Sequence, residues 1–108
     1  MEKDEIIEGI LYLLQFEGEL AFTLLEIKDF LKLNGIKEYS EDEGHWRKLK
    51  ELLVEIENQE LIEERHFGKE YHGRVDYSIE NPGTQRIKDK QKELKEKWKF
   101  PEWFENHE

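Results

Sequence analysis

The stretch from Leu49 to Gly83 admits few folds. A helical segment ends near Asn58, and Leu61-Ile62-Glu63-Glu64-Arg65-His66-Phe67 follows it. After a polar tip, Val75, Tyr77 and Ile79 alternate with Arg74, Asp76 and Ser78. That period of two marks a strand with one buried face. The tip, Gly68-Lys69-Glu70-Tyr71-His72-Gly73, is too polar to bury and has a glycine at each end, where a hairpin can require positive φ. The pattern predicts a helix running into a two-stranded hairpin. The remaining residues must supply the elements that cover it.

Upstream, Ile6, Ile7, Ile10, Leu11, Leu13 and Leu14 lie on a broad apolar face of a helix over residues 4–16, which Gly18 stops. Glu19-Leu20-Ala21-Phe22 reads as a short extended link, a small third strand for the hairpin. Thr23 with Glu26 three residues on forms a capping box that opens a second helix. Its apolar face is Ile27, Phe30 and Leu31, and Asn34-Gly35 closes it. Ser40 with Glu43 repeats the capping pattern and predicts a third helix from Ser40 to about Asn58. At 100° per residue its core face is Leu49, Leu52, Leu53 and Ile56, with Trp46 at the edge. Gly44, Arg47, Lys48, Glu51 and Glu55 point the other way.

Downstream, Asn81-Pro82 reads as a helix start and Phe100-Pro101 as its stop. Between them Ile87, Gln91, Leu94 and Trp98 repeat at 4-3-4 spacing, a narrow seam. The seam and the aromatic tail around Trp103-Phe104 both need a surface to cover them. Packing of the first and last helices between two chains, as a symmetric homodimer, is the expectation. Together these elements predict an α+β chain, a winged helix-turn-helix of three helices and a β-hairpin wing with an additional C-terminal helix. Residues 1–83 make the winged-helix domain, and residues 84–108 make a helix and tail for dimerisation through Ile87, Gln91, Leu94 and Trp98.

The run Gly73-Arg74-Val75-Asp76-Tyr77-Ser78-Ile79-Glu80-Asn81-Pro82-Gly83 resembles the second wing strand of winged-helix transcriptional regulators of the PadR-like and MarR-like kind. Leu61-Ile62-Glu63-Glu64-Arg65 resembles the start of their first wing strand. The chain departs from that pattern at Glu60, where the family usually has glycine, and at Glu41-Asp42-Glu43, which opens the third helix with acids. The resemblance implies a DNA-binding regulator, dimeric through the helix after the wing. Its third helix would enter the major groove, with half-sites about 34 Å apart.

Charge bears directly on that implication. The chain carries −10 in total, yet residues 65–100 hold 10 Lys/Arg against 6 Asp/Glu. Residues 1–64 hold 7 against 18. Double-stranded DNA is the expected partner of Arg47, Lys48 and Lys50 on the third helix and of Arg65, Lys69, Tyr71, His72 and Arg74 in the wing. The plainer role for the helix cations is pairing with Glu43 and Glu51 one turn away. The acidic first half favours an alternative, an acidic winged-helix protein–protein interaction module or a DNA mimic.

Other classes are not expected. There is no cysteine, and His45, His66, His72 and His107 show no metal-ligand spacing, so neither metal nor cofactor is expected. No nucleophile stands beside a histidine and no glycine-rich phosphate loop occurs, so the chain does not read as an enzyme. An acidic N-terminus without a long apolar run predicts a cytoplasmic protein with no membrane segment. The 41% charged composition, rich in Glu and Lys, fits a thermophilic source, archaeal or viral.

Overall fold

The computed structural model describes residues 1–17, 21–41 and 46–107, the side chains of Tyr71 and of residues 105–107 excepted. Helix α1 (Lys3–Leu14) is apolar on more than one side, and Ile6, Ile7, Ile10, Leu11, Tyr12, Leu13 and Leu14 are all buried. It lies against strand β3 (Val75–Ile79) and against two C-terminal helices, α5 (Asn81–Ile87) and α6 (Gln91–Lys97). A helix apolar nearly all round belongs in the middle of a fold.

Strand β1 (Phe22–Thr23) leads directly into α2 (Leu24–Leu33). The Thr23 hydroxyl accepts from the Glu26 N–H at 3.4 Å, and the Glu26 carboxylate accepts from the Thr23 N–H at 2.9 Å, completing the capping box. At the other end Gly35 takes φ 73°. There the Ile36 N–H reaches the Leu31 carbonyl at 2.9 Å and the Gly35 N–H reaches that of Lys32 at 3.1 Å. These two bonds satisfy carbonyls that the helix end would otherwise leave open.

The third helix does not begin at Ser40. A single turn, α3 (Lys37–Ser40), comes first, and the long helix α4 runs from Arg47 to Asn58. Ser40 is buried, and its hydroxyl donates back to the Ile36 carbonyl at 2.8 Å, so it closes one turn instead of capping the next. Glu43, its expected capping partner, lies outside the described residues. Trp46, just before α4, adopts φ 59°.

Three antiparallel strands form one sheet in the order β1-β3-β2, with β2 spanning Ile62–His66. Tyr77 pairs with Phe22 on one side and Glu64 on the other. The hairpin closes through the Phe67 N–H to the Arg74 carbonyl at 2.8 Å. In β3, Asp76 and Ser78 are buried as well as Tyr77, while Val75 and Ile79 are half-buried. The strict alternation of one wet and one dry face that period two predicts is not what β3 shows.

The C-terminal helix is not continuous either. α5 is followed by a 3-10 turn over Lys88–Lys90 and then by α6. The Gln91 side-chain amide donates to the Ile87 carbonyl at 3.1 Å, serving a group released where the helix changes pitch. Ile87, Leu94 and Trp98, expected to face a partner chain, are 0%, 4% and 3% exposed within this one chain. Gln91 bonds the Gln15 side chain of the same chain at 2.8 Å. The expected dimer seam is thus spent on the chain's own α1. The tail is spent likewise: Phe100 stacks on Tyr12, Phe30 and Phe104, and Trp103 lies 5.9 Å from Phe22. Residues 84–104 complete one hydrophobic core with the first helix instead of standing off it as a dimerisation element. Arg86, Lys90 and Lys97 clasp Asp4, Glu8 and Glu5 of α1, so part of the C-terminal positive charge neutralises the acidic N-terminus. Among the described residues no helix is long and apolar enough to cross a membrane.

Candidate nucleic-acid interface

Helix α4 turns Leu49, Leu52, Leu53 and Ile56 inward and leaves Arg47, Lys48, Lys50, Glu51, Val54 and Asn58 exposed. Its acids are largely engaged. Glu55 is 2.7 Å from the Lys3 ammonium, and Glu57 accepts the backbone N–H of Glu64 at 2.8 Å. Among the described residues, Arg47 and Lys50 form no ion pair. Trp46 is half-buried against the core, with the Lys28 ammonium 5.5 Å from its ring centre.

The hairpin divides into two parts. At its tip Lys69 and His72 are exposed, while the Tyr71 side chain lies outside what is described. In its strands the two arginines turn inward. Arg65 Nε donates to Asp76 Oδ1 at 3.1 Å, and Arg74 Nε donates to Asp76 Oδ2 at 3.4 Å. Arg74 also donates to the Ala21 carbonyl at 2.8 Å, tying the hairpin to the segment ahead of β1. Asp76 is 0% exposed, and a buried carboxylate demands such partners. Arg65 and Arg74 therefore hold the sheet together, and their charge is largely answered inside the protein.

Carboxylates crowd the neighbouring surface. Burial pushes the Glu17 carboxyl above its ordinary range, against the pull of Arg65, and one of its oxygens is buried without a hydrogen bond. A hydrogen bond with Glu63 raises Glu80 in the same direction. On the opposite side of the hairpin, Leu24, Lys50, Val54, Glu64, Val75 and Tyr77 line an open groove of about 470 Å³ between α4 and the sheet. Burial pushes the Tyr77 phenol up to about 12.

The exposed cations of α4 and the tip were legible from the helical wheel and the polar loop. Asp76 was not, because a charged residue between two apolar ones on a strand reads as solvated until its partners, Arg65 and Arg74, are placed beside it. His66 pairs with Glu64 at 2.9 Å, and among the described residues no group of three or more His, Cys, Asp or Glu could hold a metal ion. No protein-family model, curated protein or solved structure matches this chain.

Proposed function

We propose that this chain is a winged helix-turn-helix protein that binds double-stranded DNA and regulates transcription, with α4 in the major groove and the hairpin tip on the backbone. The element order α1-β1-α2-α3-α4-β2-β3, with β1 joined to the hairpin, is compatible with that fold. The observation that carries the reading is electrostatic. Arg47 and Lys50 project from α4 with no ion pair among the described residues, whereas Glu55 and Glu57 on the same helix are occupied. Lys48 and, at the wing tip, Lys69 and His72 extend the surface. Arg65 and Arg74 support it from behind by fixing the hairpin on Asp76.

The test is a titration of the intact chain with duplex DNA at several salt concentrations. Each phosphate neutralised lowers log K by about 0.9 per decade of salt, so phosphate contact through Lys48, Lys50 and Lys69 gives a slope near about −3. A second reading, a protein–protein interaction module, draws on the half-exposed Leu25 and Val54 and on the groove between α4 and the sheet. No duplex binding at about 50 mM salt leaves that reading in possession.

A further inference from the structure

Val54 is the one exposed apolar residue on α4, at 50% exposure among Arg47, Lys48, Lys50, Glu51 and Asn58. It shares the outer stripe of the helix with Arg47 and Glu51, at the i, i+4, i+7 spacing by which successive turns stack on one face. One flank of Val54 closes the groove toward Val75 and Tyr77, and the other is open. We infer that this stripe reads base edges: Arg47 a guanine, Glu51 the amino group of a cytosine, and Val54 the methyl group of a thymine.

The inference rests on the DNA-binding reading above and adds the sequence class to it. Arg matches the two acceptors of guanine, a carboxylate matches the cytosine donor, and an apolar side chain meets the thymine methyl in the major groove. Valine suits the last task, since a β-branched side chain on a helix has one dominant rotamer and little freedom to lose. The same assignment gives the outward carboxylate of Glu51 a donor to meet, where a phosphate would repel it. Seven helical residues span about 10.5 Å, close to three base-pair steps of about 3.4 Å. Guanine and thymine therefore fall about three steps apart.

The experiment begins with selection of bound duplexes from a randomised pool by the intact chain. The selected duplex is then titrated beside a copy in which uracil replaces the contacted thymine, which removes the methyl group and keeps the pairing. Loss of one apolar contact predicts roughly fourfold weaker binding of the uracil duplex. Val54→Ala, checked by thermal melting to be folded, is expected to bind the two duplexes equally. Two results overturn the assignment while the DNA reading stands: a selected pool without the guanine–thymine spacing, or a uracil penalty that persists in Val54→Ala. Failure to bind any duplex at about 50 mM salt removes both together.

Discussion

Arg65 and Asp76 face one another across β2 and β3, and the guanidinium donates at 3.1 Å to a carboxylate that has no solvent exposure. Arg74 takes the second oxygen from the neighbouring position. Removing the carboxylate leaves two half-buried guanidinium groups facing a gap, whereas removing one arginine leaves the other in place. Asp76→Ala is expected to cost about 3 kcal/mol, in line with breaking a buried ion pair from one side. Arg65→Ala is expected to cost on the order of 1–2 kcal/mol, the scale of one hydrogen bond to a charged group. Urea unfolding of the two variants measures both values, and equal losses would mean that Arg74 does not support Asp76.

The same geometry separates the cations by role. Lys50→Ala should leave stability within about 0.5 kcal/mol, as surface substitutions do, and should lower the salt slope of DNA binding by about 0.9. Arg65→Ala should do the reverse, moving the melting temperature with little change in slope. Titration of both variants at matched salts decides whether the hairpin arginines are structural or contact DNA.

Gly9 on α1 leaves no space for a side chain. A methyl group there would stand 2.2 Å from the Trp98 ring, inside any allowed contact. Alanine is otherwise the better helix former by about 1 kcal/mol, so a stabilised Gly9→Ala variant would show that α6 does not pack as described. Overpacking is expected to win, with a net loss of about 1–3 kcal/mol by thermal melting. Pairing it with Trp98→Leu, which vacates the space, should recover part of that loss.

The raised carboxyls give a pH dependence with a definite sign. Glu17 is raised first by burial and Glu80 first by its hydrogen bond with Glu63. A group whose folded pKa lies above its unfolded value stabilises the fold when protonated, and that contribution is lost as pH rises through the folded value. Glu17→Gln and Glu80→Gln should therefore melt higher than the native chain at pH 7 and converge with it near pH 4. Tyr77 acts at the other end of the scale. Its phenol, raised from 10.0 to about 12, keeps its proton while the unfolded chain would lose it. Stability from Tyr77 is complete below about pH 10 and falls as pH climbs toward 12. Burial raises the Tyr12 and Tyr39 phenols as well, and an absorbance titration should show the Tyr77 phenolate appearing late, together with unfolding.

What the residues reveal depends on how local their chemistry is. The Thr23–Glu26 box and the Asn34-Gly35 stop involve groups a few positions apart, so the sequence carries them whole. The hairpin is equally local, and so are the exposed positions of Arg47, Lys48 and Lys50. Ser40 matched a capping pattern as well as Thr23 did, but burial turned its hydroxyl to Ile36. Asp76 and the Ile87–Trp98 seam depend on what packs against them. A period of two or of seven says that a face is apolar or polar and does not say what covers it. The arginines beside Asp76 fall under the same limit, since a charge in a sequence has no partner until the strands pair.

Deletion of residues 84–108 tests what covers α1. Trp98 packs on Gly9 and Phe30, Phe100 on Tyr12 and Phe30, and the Asn34 side chain holds the Lys99 backbone by bonds of 2.9 Å at both its N–H and its carbonyl. Ile87, Leu94, Trp98 and Phe104 are each buried, and each such side chain contributes about 1.5–3 kcal/mol. Their sum, roughly 6–12 kcal/mol, matches the whole stability of an ordinary domain. The truncated chain is therefore expected to lose cooperative unfolding in circular dichroism melts, whereas a dimerisation appendage would leave a folded monomer behind. The intact chain, with its seam already filled, is expected to scatter light as a single chain of 13.2 kDa. A folded, monomeric fragment of residues 1–83 would place the cover of α1 elsewhere, and a dimeric intact chain would require a surface other than Ile87, Leu94 and Trp98.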